Sequence, residues 1–396
     1  MEYNNFKGKK LSNLGFGLMR LPVDEHGNIN VEQTKQMIDY AIKNGVNYFD
    51  TAAPYHGGYS EIVAGEILSQ YPRESFYLAD KFPGHQLATE YNVQKTFEIQ
   101  LRKCKTDYFD FYLLHNVYEN SVKTYYSEKW GIIDYLLEQK KNGRIRHLGF
   151  STHARLDTLK EFLNRYGSIM EFCQIQLNYL DWTLQDANEK VKLLNEHNIP
   201  IWVMEPVRGG KLAILNEENT NKLKMTRPEE SSASWAFRWV KDIPGVTMVL
   251  SGMSNMEQVQ DNIKTFSENK PLSESERALL LGIAESLKNS VPCTGCSYCI
   301  DGCPQKLNIP LLIKLYNNAK FNLDVGASMS MDSFTEKELP KACIGCGKCS
   351  RTCPQSIDVP AIMQDFARLY EKMPKWSDLC KTRAAAAAKL DKQYDS

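Results

Sequence analysis

Upstream of residue 280, short apolar runs alternate with longer segments of helical period, and the alternation occurs eight times. The runs LGFGLMRL, VNYFDTA, FYLADKF, YFDFYLLH, IRHLGFST, FCQIQLNYL, IPIWVMEPV and VTMVLSG are continuous rather than alternating in hydrophobicity, as strands covered on both faces require. Between them, segments such as VEQTKQMIDYAIKNG bring Met37, Tyr40 and Ala41 to one helical face, with Gly45 as the stop. Eight such units predict an α/β fold, a (β/α)8 TIM barrel, and 396 residues leave room for a small appendage. An open doubly wound sheet is the competing arrangement; against it, no G-x-G-x-x-G follows the first strand.

Active sites of such barrels lie at the C-terminal ends of the strands. The second strand ends in Asp50 with Tyr55 just beyond it, the third ends in Lys81 and the fourth in His115. Each alone has a plain structural use, as a cap, a surface residue or a core histidine, but together they converge on one mouth. A phenol with a pKa near ~10 protonates a carbonyl slowly at neutral pH unless a cation stabilises its phenolate. Lys81 can supply that cation, Asp50 can keep Lys81 charged and oriented, and His115 can hydrogen-bond a substrate oxygen. None of these side chains carries a hydride, so the set needs an external donor.

The 48 basic and 48 acidic residues leave net charge zero, which excludes the electrostatic footprint of a nucleic-acid or membrane-surface binder and favours small neutral partners. No apolar run approaches ~18 residues, so a soluble, cytoplasmic chain with no membrane span is expected. Of eleven cysteines, eight lie in two runs, CTGCSYCIDGCP from Cys293 and CIGCGKCSRTCP from Cys343, each spelling C-x2-C-x2-C-x3-C-P. That spacing suits a cubane cluster reached by three cysteines of one loop and a fourth from elsewhere. Two [4Fe-4S] clusters are expected, one on Cys293, Cys296, Cys299 and Cys353, the other on Cys343, Cys346, Cys349 and Cys303. Zinc is the alternative, although its tetrahedral sites usually pair C-x2-C knuckles. Each run is followed by a segment with an early proline and apolar residues at helical period, which predicts a small, mostly helical ferredoxin-like iron-sulfur domain. KPLSESERALLLGIAESLKNS reads as a linker helix. The tail KTRAAAAAKLDKQ reads as a short Ala-rich helix or frayed end, too brief to anchor anything. Cys104 and Cys173 read as core residues, and Cys380 as lying near the surface.

In this order and on these strands, GVNYFDTAAPYHGGYSE, LADKF, FDFYLLHN, LGFST, QIQLNY and SGMSNMEQVQDN resemble the aldo-keto reductases over roughly residues 9–270, and the cysteine-rich region resembles the C-terminal extension of one branch of them. The resemblance implies a nicotinamide-dependent reductase of a small-molecule carbonyl substrate, with Asp50, Tyr55, Lys81 and His115 as catalytic tetrad and Tyr55 as general acid. It places Ser151, Gln176 and Asn178 against the nicotinamide, Gly209 and Gly210 of PVRGGKL over the pyrophosphate, and Gly252, Ser254, Gln258 and Asn262 at the adenosine end. Ser254 stands where many members carry an arginine for the 2′-phosphate, so NADP(H) is the expected cofactor and NAD(H) stays open. The expected domains are a barrel over residues 1–275 and the iron-sulfur domain over 276–396. For the clusters, electron transfer with an external redox partner or a second cofactor is expected. Two readings compete: clusters that only staple the C-terminal domain, and a nicotinamide-sensing regulatory subunit with little turnover. The loops HGG after Tyr55 and NVYENSVKTYYSEKW after His115 carry no decodable substrate motif.

Overall fold

The computed structural model describes the chain except Leu87, 289–290, Thr294, 322–324 and 395–396, and describes 321 and 325–327 by backbone alone. It divides into two compact units, Met1–Leu279 together with Arg383–Ser396, and Leu280–Thr382. The expected boundary at 275/276 assigned the whole remainder to one domain; the last residues instead belong with the barrel, because Leu390 is buried and Asp391 pairs with Lys103.

In the first unit a hairpin of β1 (Tyr3–Phe6) and β2 (Lys9–Ser12) precedes eight parallel strands. These are β3 (Leu14–Gly17), β4 (Tyr48–Asp50), β5 (Tyr77–Phe82), β6 (Phe109–Val117), β7 (Ile145–Thr152), β8 (Cys173–Gln176), β9 (Ile201–Met204) and β10 (Val246–Gly252). They follow one another around a closed barrel, β10 pairing with both β9 and β3. The eight apolar runs are thus the eight barrel strands. Helices cover them outside: Val31–Lys43 buries Met37, Ile38 and Ala41, and the Asn30 side chain caps it by accepting from Gln33 N. Inside, Tyr48, Phe111, Phe172, Trp202 and Met248 fill the barrel, with Phe172 and Trp202 ring centroids 4.7 Å apart.

The hairpin was not foreseen. MEYNNFKGKKLS has the polarity of a loop, yet Phe6 and Leu11 are buried and Phe6 packs edge-on against Trp202 at 5.0 Å, closing the N-terminal end of the barrel. Lys7 and Gly8, with φ of 48° and 82°, make the tight turn between the strands.

On the same end Glu171 gathers Lys7 at 2.6 Å, Lys140 at 2.6 Å and His147 at 3.0 Å. Burial alone would raise its pKa, but these partners hold the carboxyl well below the usual range. A carboxyl depressed in the folded state stabilises above its unfolded pKa, near ~4.3, and loses that contribution as pH falls. Glu171→Gln is therefore expected to cost about 1–3 kcal/mol at neutral pH and to flatten the acid limb of the stability curve, measured by thermal melts from pH 7 downwards.

The helix Glu274–Leu287 begins in the first unit and ends in the second, and the expected last residues 289–290 lie outside those described. Helices Ile309–Phe321 and Val359–Glu371 follow the two cysteine runs, the second with Pro360 in its first turn and Asp358 accepting from Ala361 N. Their faces supply Ile309, Ile313, Val359, Met363 and Phe366 to a core that includes Cys299 and Cys349. Cys380 is buried, not near the surface, because it lies one turn after the buried Trp376 on the helix Trp376–Asp391. Among the described residues no helix is long and apolar enough to cross a membrane.

Candidate functional site

The barrel brings the four residues singled out at the strand ends together. Asp50 is the last residue of β4, Lys81 the last but one of β5, and His115 the third from the end of β6. Tyr55 opens the turn Tyr55–Gly58, in which His56, Gly57 and Gly58 all take positive φ, of 50°, 66° and 99°. That turn is fixed from the side by Leu21 N, which donates to His56 Nε2 at 3.2 Å.

The buried Lys81 ammonium donates to Asp50 Oδ1 at 2.5 Å, to Thr51 O at 2.7 Å and to the Tyr55 hydroxyl oxygen at 3.2 Å. All three of its protons are thereby spent inside the site. Burial would lower the lysine's pKa, but Asp50 and Tyr55 outweigh it and the ammonium is held charged. Asp50 is pushed up by burial and pulled back by Lys81. Tyr55 departs from the expected depression: burial raises its phenol more than Lys81 lowers it, with Asp50 adding to the rise. The phenol therefore keeps its proton through neutral pH, and the lysine stabilises the charge that develops only when the proton leaves. His115 stands edge-on to Tyr55, ring centroids 5.9 Å apart. Burial, then the neighbouring His85, keep its pKa well below 6.5, so the imidazole is neutral. Its Nδ1 has no hydrogen-bond partner among the described residues.

His85, with its ring 4.2 Å from that of His115, escaped the sequence reading because one histidine in KFPGHQ carries no periodic signal. A second layer escaped it too. Gln100 Nε2 donates to Lys81 O at 3.0 Å and to Glu61 Oε1 at 2.9 Å, and Lys103 Nζ bridges Glu61 at 3.1 Å and Asp391 at 2.5 Å. Asp80, next to Lys81 and fully buried, is pushed well above the ordinary carboxyl range by burial and by Glu61. Lys103→Met would leave Glu61 buried without its cation, so it is expected to cost about 3–5 kcal/mol in unfolding free energy, measured by chemical denaturation.

On the opposite side of the mouth lie the residues expected at the cofactor. Ser151, near the end of β7, accepts from Asn116 N at 2.8 Å. Gln176 and Asn178 both donate to Asp181 Oδ2 at 2.7 Å, and Asn178 also to Glu205 O at 3.0 Å. Asp181, which the sequence did not single out, is completed by Arg208 Nε at 3.1 Å. Gly209 and Gly210, after β9, have φ of 65° and 95°; a side chain at Gly210 would meet nothing within 4 Å. Gly252 ends β10 directly under the Arg20 side chain, whose guanidinium reaches Glu205 Oε1 at 3.4 Å. Ser254 donates to Arg20 O at 2.8 Å, and its N–H donates to Gln258 Oε1 at 2.7 Å. Asn262 is buried and donates to Ser251 Oγ at 3.0 Å. The sequence singled out neither Arg20 nor Arg208, the cations of these two ion pairs.

In the second unit the cysteines line two cavities, each of about 340 Å3 counting the solvent at its mouth. Cys293, Cys296, Cys299 and Cys353 line one; Cys303, Cys343, Cys346 and Cys349 line the other. The two runs have matching backbones: Gly295 and Gly345, Ser297 and Gly347, and Lys306 and Ser356 all take positive φ. Among the described residues no three His, Cys, Asp or Glu side chains gather as a single-ion site. Cys296 and Cys346 are exposed at the lips of the cavities.

The profile of the Aldo/keto reductase family matches residues 13–285, and that of a 4Fe-4S dicluster domain matches residues 292–357. Probable aldo-keto reductase 1 of Glycine max is 29% identical over 231 residues, 55% of this chain; the match spans 63% of that protein, just under two thirds of its length. The NADH-specific methylglyoxal reductase of Escherichia coli (strain K12) is 25% identical over 287 residues, 62% of this chain and 85% of that protein. Among solved structures, the holo form of aldo-keto reductase AKR11C1 from Bacillus halodurans has a TM-score of 0.56 and 26% identity, covering 72% of this chain and 95% of that one.

Proposed function

Since the chain belongs to the aldo/keto reductase family, we propose that it reduces a small-molecule carbonyl with a nicotinamide cofactor, Asp50, Tyr55, Lys81 and His115 acting as the tetrad. The observation that carries this reading is the buried Lys81 ammonium, shared between Asp50 and the Tyr55 hydroxyl. A bound nicotinamide supplies the hydride. Tyr55 gives its proton to the carbonyl oxygen, Lys81 steadies the phenolate that remains, Asp50 keeps Lys81 charged, and neutral His115 orients the oxygen. Ser151, Gln176 and Asn178 would hold the nicotinamide, Gly209 and Gly210 with Arg20 the pyrophosphate, and Gly252, Ser254, Gln258 and Asn262 the adenosine end. The open space at Gly210 suits an anion approaching the backbone there, with Arg20 sharing its charge between that anion and Glu205. Ser254 brings no charge to a 2′-phosphate; NADP(H) remains the first choice and NAD(H) the alternative.

We also propose that two [4Fe-4S] clusters occupy the second unit, one in each cysteine-lined cavity. Four thiols line each cavity and the two runs match in backbone, while among the described residues no three of them gather closely enough for a single ion, which supports clusters over a lone zinc ion. Such clusters supply single-electron transfer. Exposed Cys296 and Cys346, with Tyr298 and Ile344 also exposed beside them, leave each cavity's edge open to an external redox partner. Anaerobic steady-state kinetics on a panel of carbonyls with each reduced nicotinamide tests the barrel reading. Oxidation of cofactor in step with alcohol formation is expected; tight cofactor binding with no turnover on any carbonyl would instead make the barrel a nicotinamide sensor.

A further inference from the structure

The two cysteine runs repeat at an interval of 50 residues with matching backbones, but the side chains around their cavities differ. Lys348 in the second run stands where the first has Tyr298, and Arg351 where the first has Asp301. Lys306, just after the first run, corresponds to Ser356 after the second. Because the end of each run crosses to the other's cavity, these three cations stand at the edge of one of them, that of Cys303, Cys343, Cys346 and Cys349. Lys306 is flanked by Gln305 and Leu307, and Lys348 by Gly347 and Cys349, all of which line it. Arg351 lies on the helix Lys348–Thr352, its Nη1 3.7 Å from where a side-chain carbon at Gly347 would stand. All three are exposed, and among the described residues none is in an ion pair. Ile344, also lining this cavity, is 61% exposed. Of the neighbouring acids, Glu336 pairs with Lys341, and Asp358 caps the helix Val359–Glu371 by accepting from Ala361 N at 3.3 Å.

The cavity of Cys296 has no such surface: the matching positions are Tyr298, Asp301 and Ser356, with a single charge among them, and that one negative. Grouped exposed cations add little to stability and repel one another, so the packing of the unit does not account for the difference. On a chain of zero net charge this patch is a local field, which steers a partner of opposite sign onto one lip. We propose that the lip bearing Lys306, Lys348 and Arg351 docks a small acidic electron-carrier protein, whose carboxylates meet the three cations and whose apolar rim around its redox centre meets Ile344. Such encounters bury less than about 1,200 Å2, so a patch of this size suffices. Three cations are few for a phosphate backbone, which proteins engage through about 6–10 contacts, and an exposed isoleucine contributes nothing to one. What passes is one electron: the carrier is oxidised, the cluster behind the lip is reduced, and no bond or proton moves. The proposal deepens the reading of the cavities as cluster sites and rests on it.

The test uses the full-length, cluster-loaded protein and a plant-type [2Fe-2S] ferredoxin, an acidic carrier, as probe. Calorimetric titration with the oxidised ferredoxin is expected to show binding in the wild type that weakens as salt is raised from about 50 to 500 mM. Lys306→Gln, Lys348→Gln and Arg351→Gln combined are expected to lower the affinity about 10- to 100-fold, with iron and sulfide content unchanged. Lys306→Glu should weaken binding about 3- to 10-fold, whereas Ser356→Glu, at the matching position on the other lip, should leave it nearly as it was. Cluster reduction by reduced ferredoxin, followed by stopped-flow absorbance, should slow in step with affinity, while dithionite reduces all variants alike. No binding by the wild type, equal affinity in the triple variant, equal losses in Lys306→Glu and Ser356→Glu, or tighter binding of a short DNA duplex than of ferredoxin would each overturn the proposal. If the triple variant loses its clusters, the salt dependence and the two single variants decide. Should dithionite reduce no cluster, the electron-transfer reading fails by itself, and ferredoxin affinity in the same variants still decides whether this lip docks an acidic protein.

Discussion

Tyr55→Phe is expected to lower kcat for carbonyl reduction by about 10²- to 10⁴-fold, the range for losing a positioned general acid. Nicotinamide affinity should hardly change, because the hydroxyl's partner in the site is Lys81 and not a cofactor-groove residue. Lys81→Met should cut kcat similarly. It also strands Asp50 in a buried position, so its stability should fall as well, by about 3–5 kcal/mol. The double variant should be little slower than either single one, since the two residues act as a unit. Because burial holds the Tyr55 phenol above its ordinary pKa, the proton-donating form persists across neutral pH. The kcat for reduction should therefore be flat there and fall only at strongly alkaline pH, as the donor is lost. Steady-state kinetics with equilibrium cofactor titration checks all of this; a Tyr55→Phe enzyme with wild-type kcat would remove Tyr55 from the role of acid.

Replacing the cysteines of both runs with serine, or removing iron by chelation, is expected to unfold Leu280–Thr382. Cys299 and Cys349 belong to that unit's core, and four more of the eight cysteines pack against it. Without the clusters, two cavities lined with thiols and apolar groups would stand at its centre, and loss of a folding-linked metal centre costs on the order of 10 kcal/mol. Limited proteolysis should then cut within 280–382 and spare the barrel, while iron and sulfide analysis of the intact protein should account for two four-iron clusters. The same serine variants separate the roles: unaltered turnover with every donor and acceptor would leave the clusters a purely structural part.

What was legible in the sequence follows from periodicity. The barrel strands are buried on both faces and so read as continuous apolar runs, and the chemistry of Asp50, Lys81 and His115 sits where those runs end. The cysteine runs are legible because cluster geometry dictates spacing. Glu61, Lys103 and Asp181 are different: each is a charged residue in a helical or turn segment, which by pattern belongs on a solvated face. They are buried because partners far away in sequence neutralise them, Lys103 and Asp391 being 288 positions apart. The same non-local pairing hid the anchoring of the tail: its Ala-rich helix was legible, but its attachment to the barrel through Leu390 and Asp391 was not. The N-terminal hairpin was missed for the opposite reason, since two apolar residues, Phe6 and Leu11, suffice to plug a barrel end.

The most direct test of the account is isotopic. Turnover of an aldehyde with each 4-deuterated reduced nicotinamide, run anaerobically on the cluster-loaded enzyme, should give an alcohol carrying one deuterium on its carbinol carbon from one of the two cofactor epimers, with the hydroxyl proton from solvent. An alcohol whose carbinol hydrogen comes from water with both epimers would mean that the carbonyl is reduced by separate electrons and protons, and would contradict the role assigned here to the barrel.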